Sequence, residues 1–220
     1  MLKALNQILD LIYENSCLIC SGPCEKLLVC SLCEKSFIER KQNFTKHFDE
    51  ITVFSWGLYE GKLREGIIKL KNGKKKLANY FGDKLTHFWQ KLLLEISNKQ
   101  YILLPVPSHK KRIKERGYCQ STLITKEFLK YFQYEYLENF LVRTKETYYM
   151  NSLSSLKERI ENIKDAFEIR GSTLPNKDFL IIDDILTSGS TMCEIAKTIH
   201  KQFPDTNIYG LTIAAGDKYN

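Results

Sequence analysis

The stretch Lys177-Asp-Phe-Leu-Ile-Ile-Asp183-Asp184-Ile-Leu-Thr187-Ser188-Gly189-Ser190-Thr191 decides the fold of this chain. Its apolar run 179–182 is typical of a strand buried on both faces, and helical spacing over 190–202 follows the small turn. A second apolar run, from Ile208 to Ala214, is predicted to be the next strand. A strand–helix–strand unit of this kind places its two strands in parallel.

The same alternation of strands and helices extends toward the N-terminus. Strands are predicted at Ile51–Trp56, Tyr101–Leu104 and Phe140–Val142 because β-branched, aromatic and other apolar residues dominate these runs. Helices are predicted over 62–70, 75–96, 120–132 and 154–163, a basic loop reaches Gly117, and 34–50 is predicted to be a polar linker. The expected fold class is therefore α/β, a mostly parallel sheet flanked by helices over 51–220, with a smaller N-terminal unit over 1–50.

The turn after the strand 179–182 has the composition of a phosphate-binding loop. Ligands of open α/β sheets bind at the carboxyl edge of the strands, and a helix N-terminus attracts anions. The loop candidates are Thr187, Ser188, Gly189, Ser190 and Thr191. Asp183 and Asp184 would repel an anion, so sugar hydroxyls or a divalent cation such as Mg²⁺ are their expected partners. The structural alternative is that Asp184 and Ser188 only cap turns and Gly189 only permits a positive φ.

Four of the seven cysteines form two C-x2-C pairs, Cys17 with Cys20 and Cys30 with Cys33. Two such pairs supply the tetrahedral four-thiolate shell that zinc prefers in structural sites. Cys24 lies between the pairs and is a substitute ligand in this interpretation. The alternative is a pair of disulfides, which a reducing compartment disfavours.

Charge is distributed unevenly along the 220 residues, of which 43% are apolar and 27% charged. Residues 34–150 hold 23 basic and 13 acidic side chains and therefore a net charge of +10, within a total of +7. Such a basic middle favours a polyanionic partner over solvated lysines alone. The candidate DNA-phosphate contacts are Lys74, Lys75 and Lys76, and the candidates for pyrophosphate or DNA phosphate are Lys110, Arg112 and Arg116.

The first twelve residues carry apolar side chains at helical spacing, interrupted by Asn6, Gln7 and Asp10. This pattern predicts one amphipathic helix and no export signal, with core packing favoured over a membrane-surface or partner contact. No apolar run approaches the roughly 20 residues of a membrane-spanning helix. The expected location is the cytoplasm, with peripheral contact at the inner face of the membrane as an option.

The strand, two acids and Thr-Ser-Gly-Ser-Thr loop together resemble the phosphoribosyl-pyrophosphate motif of type I phosphoribosyltransferases. Further segments downstream of the cysteine pairs narrow the resemblance to one family. They are Leu104-Pro-Val-Pro107, Arg116-Gly117-Tyr118-Cys119-Gln120, Leu141-Val-Arg143-Thr144, Arg159-Ile-Glu-Asn162 and Ala166-Phe167. The chain resembles the ComF family of competence proteins from about residue 17 to 214. It has Cys119 where that family has Asn, and Met150 where it has Gln.

The resemblance implies an N-terminal zinc module before a phosphoribosyltransferase-like domain, and a role with single-stranded DNA during natural transformation. It implies that the loop 187–191 and the two aspartates hold phosphoribosyl pyrophosphate, or a related ribose phosphate, with Mg²⁺. Aromatic side chains would stack on bases. The named sources are Tyr59, Tyr80, Phe88, Trp89, Tyr118, Tyr131, Phe132, Tyr134 and Tyr136, most of them expected in the core.

Two other functions stay open at the level of sequence. The chain could be an active phosphoribosyltransferase that joins a nitrogen base to ribose with release of pyrophosphate, although no segment reads as a nucleobase pocket. Alternatively it could be a ligand-sensing scaffold that docks a competence helicase or an inner-membrane DNA channel. No catalytic residue is assigned on either basis.

Overall fold

The computed structural model describes residues 16–24, 27–39, 44–93, 100–148, 153, 155–171 and 177–216. The helix predicted within the first twelve residues lies outside these described residues. Helices in the described part are α1 (Ser31–Glu39), α2 (Gly61–Lys71), α3 (Leu77–Leu93), α4 (Lys110–Arg116), α5 (Gln120–Phe128), α6 (Leu156–Ile163) and α7 (Ser190–His200).

Six described strands form one sheet in the order β1-β2-β8-β7-β3-β4. Their bounds are β1 (Phe44–Phe48), β2 (Ile51–Leu58), β3 (Tyr101–Pro105), β4 (Glu135–Tyr136), β7 (Asp178–Leu186) and β8 (Ile208–Ala215). All neighbours pair in parallel except β1, which is antiparallel to β2. The predicted α/β class, with a mostly parallel sheet and flanking helices, is confirmed.

Both faces of the sheet are covered, as a parallel sheet requires. On one face α3 and α5 pack through Phe81, Leu85 and Phe128 against Leu180 of β7. On the other face α7 packs through Ile195 and Ile199. Strand β3 is buried along its whole length, which explains why it reads as an uninterrupted apolar run.

The connections that leave the adjacent strands β3 and β7 go to opposite faces of the sheet. The chain after β3 continues into α5 on one face, whereas the chain after β7 enters α7 on the other. Neighbouring parallel strands whose connections diverge in this way open a crevice at their carboxyl ends. The fold therefore brings the carboxyl ends of β3 and β7, at Pro105 and Leu186, to one edge of the sheet, where their connections diverge.

Three details of the predicted element map are corrected. Residues 34–50 are not a linker in their described part, because α1 and β1 lie there, and β1 adds a strand to the edge of the sheet. The strand predicted at Phe140–Val142 is β5 (Leu141–Arg143), which pairs with β6 (Phe167–Ile169) in a separate two-stranded ribbon. The basic loop is the helix α4, capped by the His109 side chain at its start and by Gly117, with φ +82°, at its end.

The four-cysteine unit packs directly on the α/β body. Phe37 of α1 meets Trp56 of β2 edge to face at 6.1 Å between ring centroids. Ile19 lies so close to Gly66 of α2 that a methyl group there would come within 2.9 Å of the Ile19 side chain. These contacts merge the unit with the core of one sheet face, while the division of the chain at residue 50 stays a prediction.

Candidate functional site

The loop after β7 is narrow and rich in hydroxyl groups. Gly189 has φ +77°, in the left-handed region, and a Cβ atom there would overlap the ring of Phe48 from β1. The hydroxyls of Ser188 and Ser190 lie 2.8 Å apart, and Ser190 is the first residue of α7. The start of an eleven-residue helix and two hydroxyls therefore meet at one point, which is favourable for a phosphate group.

Two carboxylates lie in β7 just before this loop and receive basic partners from different elements. Asp184 is buried, and its carboxylate lies 3.0 Å from the ammonium of Lys71, the last residue of α2. Burial alone would lower the pKa of Lys71, but Asp184 and Asp183 outweigh it and the pKa is raised. Lys71 therefore stays charged and neutralises one of the two acids.

The environment of Asp183 disfavours the charged form of its side chain. Burial, and then the negative charge of Asp184, raise its pKa above the usual range of an aspartate. The backbone N–H of Asp184, Lys71 and the guanidinium of Arg143 act in the opposite direction. A hydrogen-bond donor or a cation stabilises the charged form of such a carboxylate, so sugar hydroxyls and a divalent ion are suitable partners.

Arg143 is a basic residue of this site that the candidate set missed. Burial, followed by the positive charge of Arg112, lowers its pKa to about 10, and its Nε atom is buried without a hydrogen-bond partner among the described residues. Its place in the Leu141–Thr144 segment was already a motif of the family resemblance. Periodicity alone did not separate it from solvent-exposed arginines, because its proximity to Asp183 arises only in the fold.

The basic candidates of α4 have different environments. Lys110 is exposed, whereas Arg112 and Arg116 are half-buried. The Arg112 guanidinium donates to the backbone carbonyls of Thr147 and Tyr148, at 2.9 and 3.2 Å. Arg112 is therefore anchored on the segment after β5, and α4 is tied to that segment.

The structure brings the two predicted basic clusters together. The Tyr118 hydroxyl donates to the carbonyl of Leu70 and accepts from the N–H of Gly73, at 3.0 Å for the latter. The ammonium of Lys75 lies 4.9 Å from the centre of the Tyr118 ring. Tyr118 thus fastens the exposed turn of Lys74–Lys76 beside the end of α4. We call the surface formed by Lys74–Lys76 and Lys110–Arg116 the basic edge.

The aromatic candidates mostly belong to the core. Phe88, Trp89 and Tyr118 are buried, and Tyr59, Tyr80, Phe132, Tyr134 and Tyr136 are half-buried. Tyr131 is 50% exposed, but it follows α5 and lies near the amino edge of the sheet, opposite the loop after β7. Tyr148 is 77% exposed beside the basic edge and was not among the candidates, since no pattern around it marks exposure.

The four cysteines of the two pairs converge as predicted. The sulfur atoms of Cys17, Cys20, Cys30 and Cys33 all lie within 4.8 Å of one another. The Cys17–Cys33 and Cys20–Cys30 separations are 3.9 and 3.6 Å. Tetrahedral ligation with the usual zinc–sulfur bond length places sulfur atoms about 3.8 Å apart. The donor set therefore fits a structural zinc ion, with no position left for catalysis.

Backbone N–H groups support these sulfur atoms, and Cys24 is excluded from the group. Cys17 Sγ accepts from the N–H groups of Ile19, Cys20 and Cys30 at 3.3–3.5 Å, which favours its thiolate form. Cys24 instead donates its thiol hydrogen to the carbonyl of Leu27 at 3.1 Å. The idea that Cys24 substitutes as a ligand is corrected, because its sulfur lies in a separate hydrogen bond.

Of the two residues that depart from the family pattern, Cys119 lies in the described part of the structure. Cys119 lies at the start of α5, where its thiol donates to the carbonyl of Val106 at 3.6 Å. That carbonyl also accepts from Ser121, so the loop after β3 is fixed from α5. Met150 lies outside the described residues.

The fold is that of the open α/β proteins, a class in which ligands bind where the connections of neighbouring strands diverge. The chain is similar in sequence to proteins named for competence and DNA utilization. It is 33% identical over 115 residues to Competence protein F of Haemophilus influenzae, covering 51% of this chain and 50% of that protein. It is 29% identical over 97 residues to DNA utilization protein YhgH of Escherichia coli, covering 44% and 42%. The match thus spans about half the length of these relatives, and the predicted resemblance is confirmed.

Solved structures with a similar chain path include phosphoribosyltransferases. The adenine phosphoribosyltransferase of Saccharomyces cerevisiae, complexed with an imino-altritol bisphosphate and adenine, aligns with a TM-score of 0.42, 10% identity and coverage of 86% of this chain and 90% of that one. A hypoxanthine phosphoribosyltransferase of Staphylococcus aureus aligns with a TM-score of 0.39, 16% identity and coverage of 64% and 65%. No family model matches the chain. None of the helices in its described part has the length and hydrophobicity of a membrane span.

Proposed function

We propose that this protein handles single-stranded DNA during DNA uptake in natural transformation, and that it binds the strand along the basic edge. The relatives named for competence and DNA utilization support this role. The observation that carries it is the meeting of the two basic clusters, where Lys75 contacts the ring of Tyr118 at one end of α4. A continuous row of cations is what a phosphate backbone requires.

The ligand of the loop after β7, in this proposal, is phosphoribosyl pyrophosphate or a related ribose phosphate with Mg²⁺. Its phosphate would accept hydrogen bonds at Thr187–Thr191, and Asp183 and Asp184 would receive the sugar hydroxyls or the metal ion. Lys110, Arg112 and Arg116 are the candidates for its pyrophosphate end. The Cys17, Cys20, Cys30 and Cys33 site would hold zinc, which contributes to folding and not to chemistry.

The proposed location is the cytoplasm, where single-stranded DNA would arrive. A competence helicase or an inner-membrane DNA channel is the proposed protein partner, and contact with the inner face of the membrane would follow from that partner. Support for these points comes from the names of the relatives and from the family resemblance, so the DNA contact is the part to test first.

The test is a fluorescence titration of labelled single-stranded DNA at two salt concentrations. The triple variant Lys74→Ala, Lys75→Ala, Lys76→Ala should bind more weakly, and its slope of log affinity against log salt should fall by up to about 2, since each neutralised phosphate contributes roughly 0.7. The control variant Lys126→Ala, Lys130→Ala, Lys201→Ala removes the same charge from exposed lysines near the amino edge of the sheet. Equal losses in the two variants would contradict the basic edge as the DNA site.

An active transferase is the second candidate, favoured by the convergence of the loop 187–191, Lys71 and two aspartates at one sheet edge. Magnesium and nearby cations would stabilise the departing pyrophosphate. Release of pyrophosphate with any member of a nucleobase panel, abolished by Asp183→Asn with Asp184→Asn, would establish it. No release across the panel would leave ligand binding without turnover.

A further inference from the structure

Asp183 and Asp184 follow each other in β7, and their side chains lie on opposite faces of the sheet. Successive side chains of a strand alternate between its two faces. Ile182 belongs to the core beneath α2, α3 and α5, whereas Ile181 belongs to the core beneath α7. Asp184 therefore continues the side of Ile182, and Asp183 continues the side of Ile181.

The two acids have different partners on these faces. Asp184 is buried, and its carboxylate lies 3.0 Å from the ammonium of Lys71, which ends α2. Asp183 is half-buried, accepts from the backbone N–H of Asp184 at 2.9 Å and is attracted by Arg143 of β5. Within the described part of the chain, Asp183 forms no ion pair at salt-bridge distance. The charge of Asp184 is therefore compensated more closely than that of Asp183.

The backbone around Lys71 is fixed by Tyr118. The Tyr118 hydroxyl donates to the carbonyl of Leu70, which precedes Lys71, and accepts from the N–H of Gly73 at 3.0 Å. The N–H of Asn72 bonds to two carbonyls of the last turn of α2. Lys71 thus ends a helix that is held on both sides of it, and its side chain reaches Asp184 from a defined position.

The ion pair decides which of the two acids is open to a ligand. A group that bound the Asp184 carboxylate in place of Lys71 would leave the ammonium of Lys71 without its close counter-ion, and breaking a buried ion pair is strongly unfavourable. Asp183 has no such competitor. A hydroxyl donor suits Asp183 because a hydrogen bond stabilises the charged form of its carboxylate.

We propose that Lys71 is a positioning residue of the site after β7: it keeps Asp184 as its internal counter-ion, and Asp183 is thereby the carboxylate that accepts from a hydroxyl of the ribose phosphate. This inference rests on the ribose ligand of the proposed function, and it assigns the sugar contact to one of the two acids. Lys71 does not touch the ligand. It acts by cancelling the charge of Asp184 beside the phosphate group of the ligand.

The experiment titrates the full-length, zinc-loaded protein calorimetrically with ribose 5-phosphate and, separately, with inorganic phosphate, both without Mg²⁺. Lys71→Met should weaken binding of ribose 5-phosphate by about tenfold, because the charge of Asp184 then repels the phosphate group. Lys71→Arg should restore the wild-type affinity. The matched control is Lys62→Met, which removes the same charge from the first turn of α2, where Lys62 pairs with Glu65 at 2.7 Å, and should leave the affinity unchanged.

The double variant Lys71→Met, Asp184→Asn separates positioning from direct contact. It removes both charges of the pair, so the affinity for ribose 5-phosphate should return to within about threefold of the wild type. A double variant as weak as Lys71→Met would show that Lys71 or Asp184 contacts the ligand itself, and would overturn the inference. Asp183→Asn should lower the affinity for ribose 5-phosphate more than that for inorganic phosphate, since only the first probe carries sugar hydroxyls.

The outcomes separate this inference from the proposed function. Wild-type binding of ribose 5-phosphate that is unchanged in Lys71→Met overturns the role of Lys71 and leaves the ribose ligand in place. Equal losses for the two probes in Asp183→Asn overturn the sugar contact of Asp183. Absence of wild-type binding to both probes overturns this inference together with the ribose ligand, whereas the DNA contact stands or falls on its own titration.

Discussion

The four-cysteine unit and the basic edge are both clusters of polar groups, but only the first is complete within itself. The four sulfur atoms lie at the separations that one metal ion requires, and backbone N–H groups from the same short segment support them. The basic edge instead combines α4 and the turn at Lys74–Lys76, which belong to different parts of the sequence. Local sequence spacing brings the four cysteines together, whereas only the fold brings the residues of the basic edge together.

This difference separates structural from binding roles. Four thiolates around one ion leave no position for a further ligand, so the cysteine unit is suited to stability. At the basic edge, by contrast, the cations of α4 and of Lys74–Lys76 are exposed or half-buried, so a polyanion can approach them from solution.

The largest expected effect is on the closed cluster. Replacing Cys17 and Cys20 by Ser should abolish zinc binding and unfold the unit, because structural zinc in small domains contributes on the order of 10 kcal/mol. Metal content and the thermal unfolding midpoint measure this. Cys24→Ser is the control, and it should retain the metal, since its thiol bonds to the Leu27 carbonyl. Equal metal loss from the Cys17/Cys20 variant and from Cys24→Ser would contradict a metal site made of these four cysteines alone.

The loop after β7 should be sensitive to the smallest possible enlargement. Gly189→Ala introduces a Cβ at φ +77° and against the ring of Phe48, and we expect a loss of about 1–3 kcal/mol in the free energy of unfolding. Denaturant unfolding measures it. Adding Phe48→Ala should relieve the overlap but not the backbone strain. Full stability of Gly189→Ala would show that the loop is less constrained than its geometry indicates.

Asp183 should make the stability of the unliganded protein depend on pH. Because its pKa is raised in the folded state, the folded protein binds the proton more tightly, and this contribution is lost as pH rises through the folded pKa. The wild type should therefore lose stability relative to Asp183→Asn between the ordinary aspartate range and mildly alkaline pH. Unfolding midpoints of both proteins, measured across that window without Mg²⁺, test this, and parallel curves would contradict it.

The smallest effect is expected at a single hydroxyl of the loop. Ser188→Ala removes one of the two hydroxyls that lie 2.8 Å apart, and the affinity for phosphoribosyl pyrophosphate with Mg²⁺ should fall by no more than about tenfold. Calorimetric titration measures the affinity. Thr198→Ala is the matched control, since that hydroxyl donates to its own helix at the Glu194 carbonyl and should leave affinity unchanged.

Sequence was sufficient where the deciding pattern is local. The spacing of Cys17, Cys20, Cys30 and Cys33 predicts their convergence, and the run Phe179–Ile182 with the following turn predicts β7 and the start of α7. Strand Phe44–Phe48 was missed because its exposed polar residues belong to a sheet edge, where one strand face contacts little. Helix α4 was missed because its charged surface lacks any apolar stripe, with no residue of it buried.

The candidate site was only partly predictable for the same reason. Asp183 lies in β7 and the hydroxyl loop follows that strand, so their proximity is given by the chain itself. Lys71 and Arg143 reach the site from two other elements, and the ion pair of Lys71 with Asp184 spans 113 residues. Such partners depend on which connections leave the sheet toward which face, and composition does not determine that.

The most direct measurement is a titration of the zinc-loaded protein with labelled single-stranded DNA at two salt concentrations, with and without phosphoribosyl pyrophosphate and Mg²⁺. The account predicts salt-sensitive binding that the small ligand weakens, because its phosphates place negative charge beside the basic edge. Absence of binding at both salt concentrations, or binding indifferent to salt, would contradict the proposal that this edge of the sheet holds DNA.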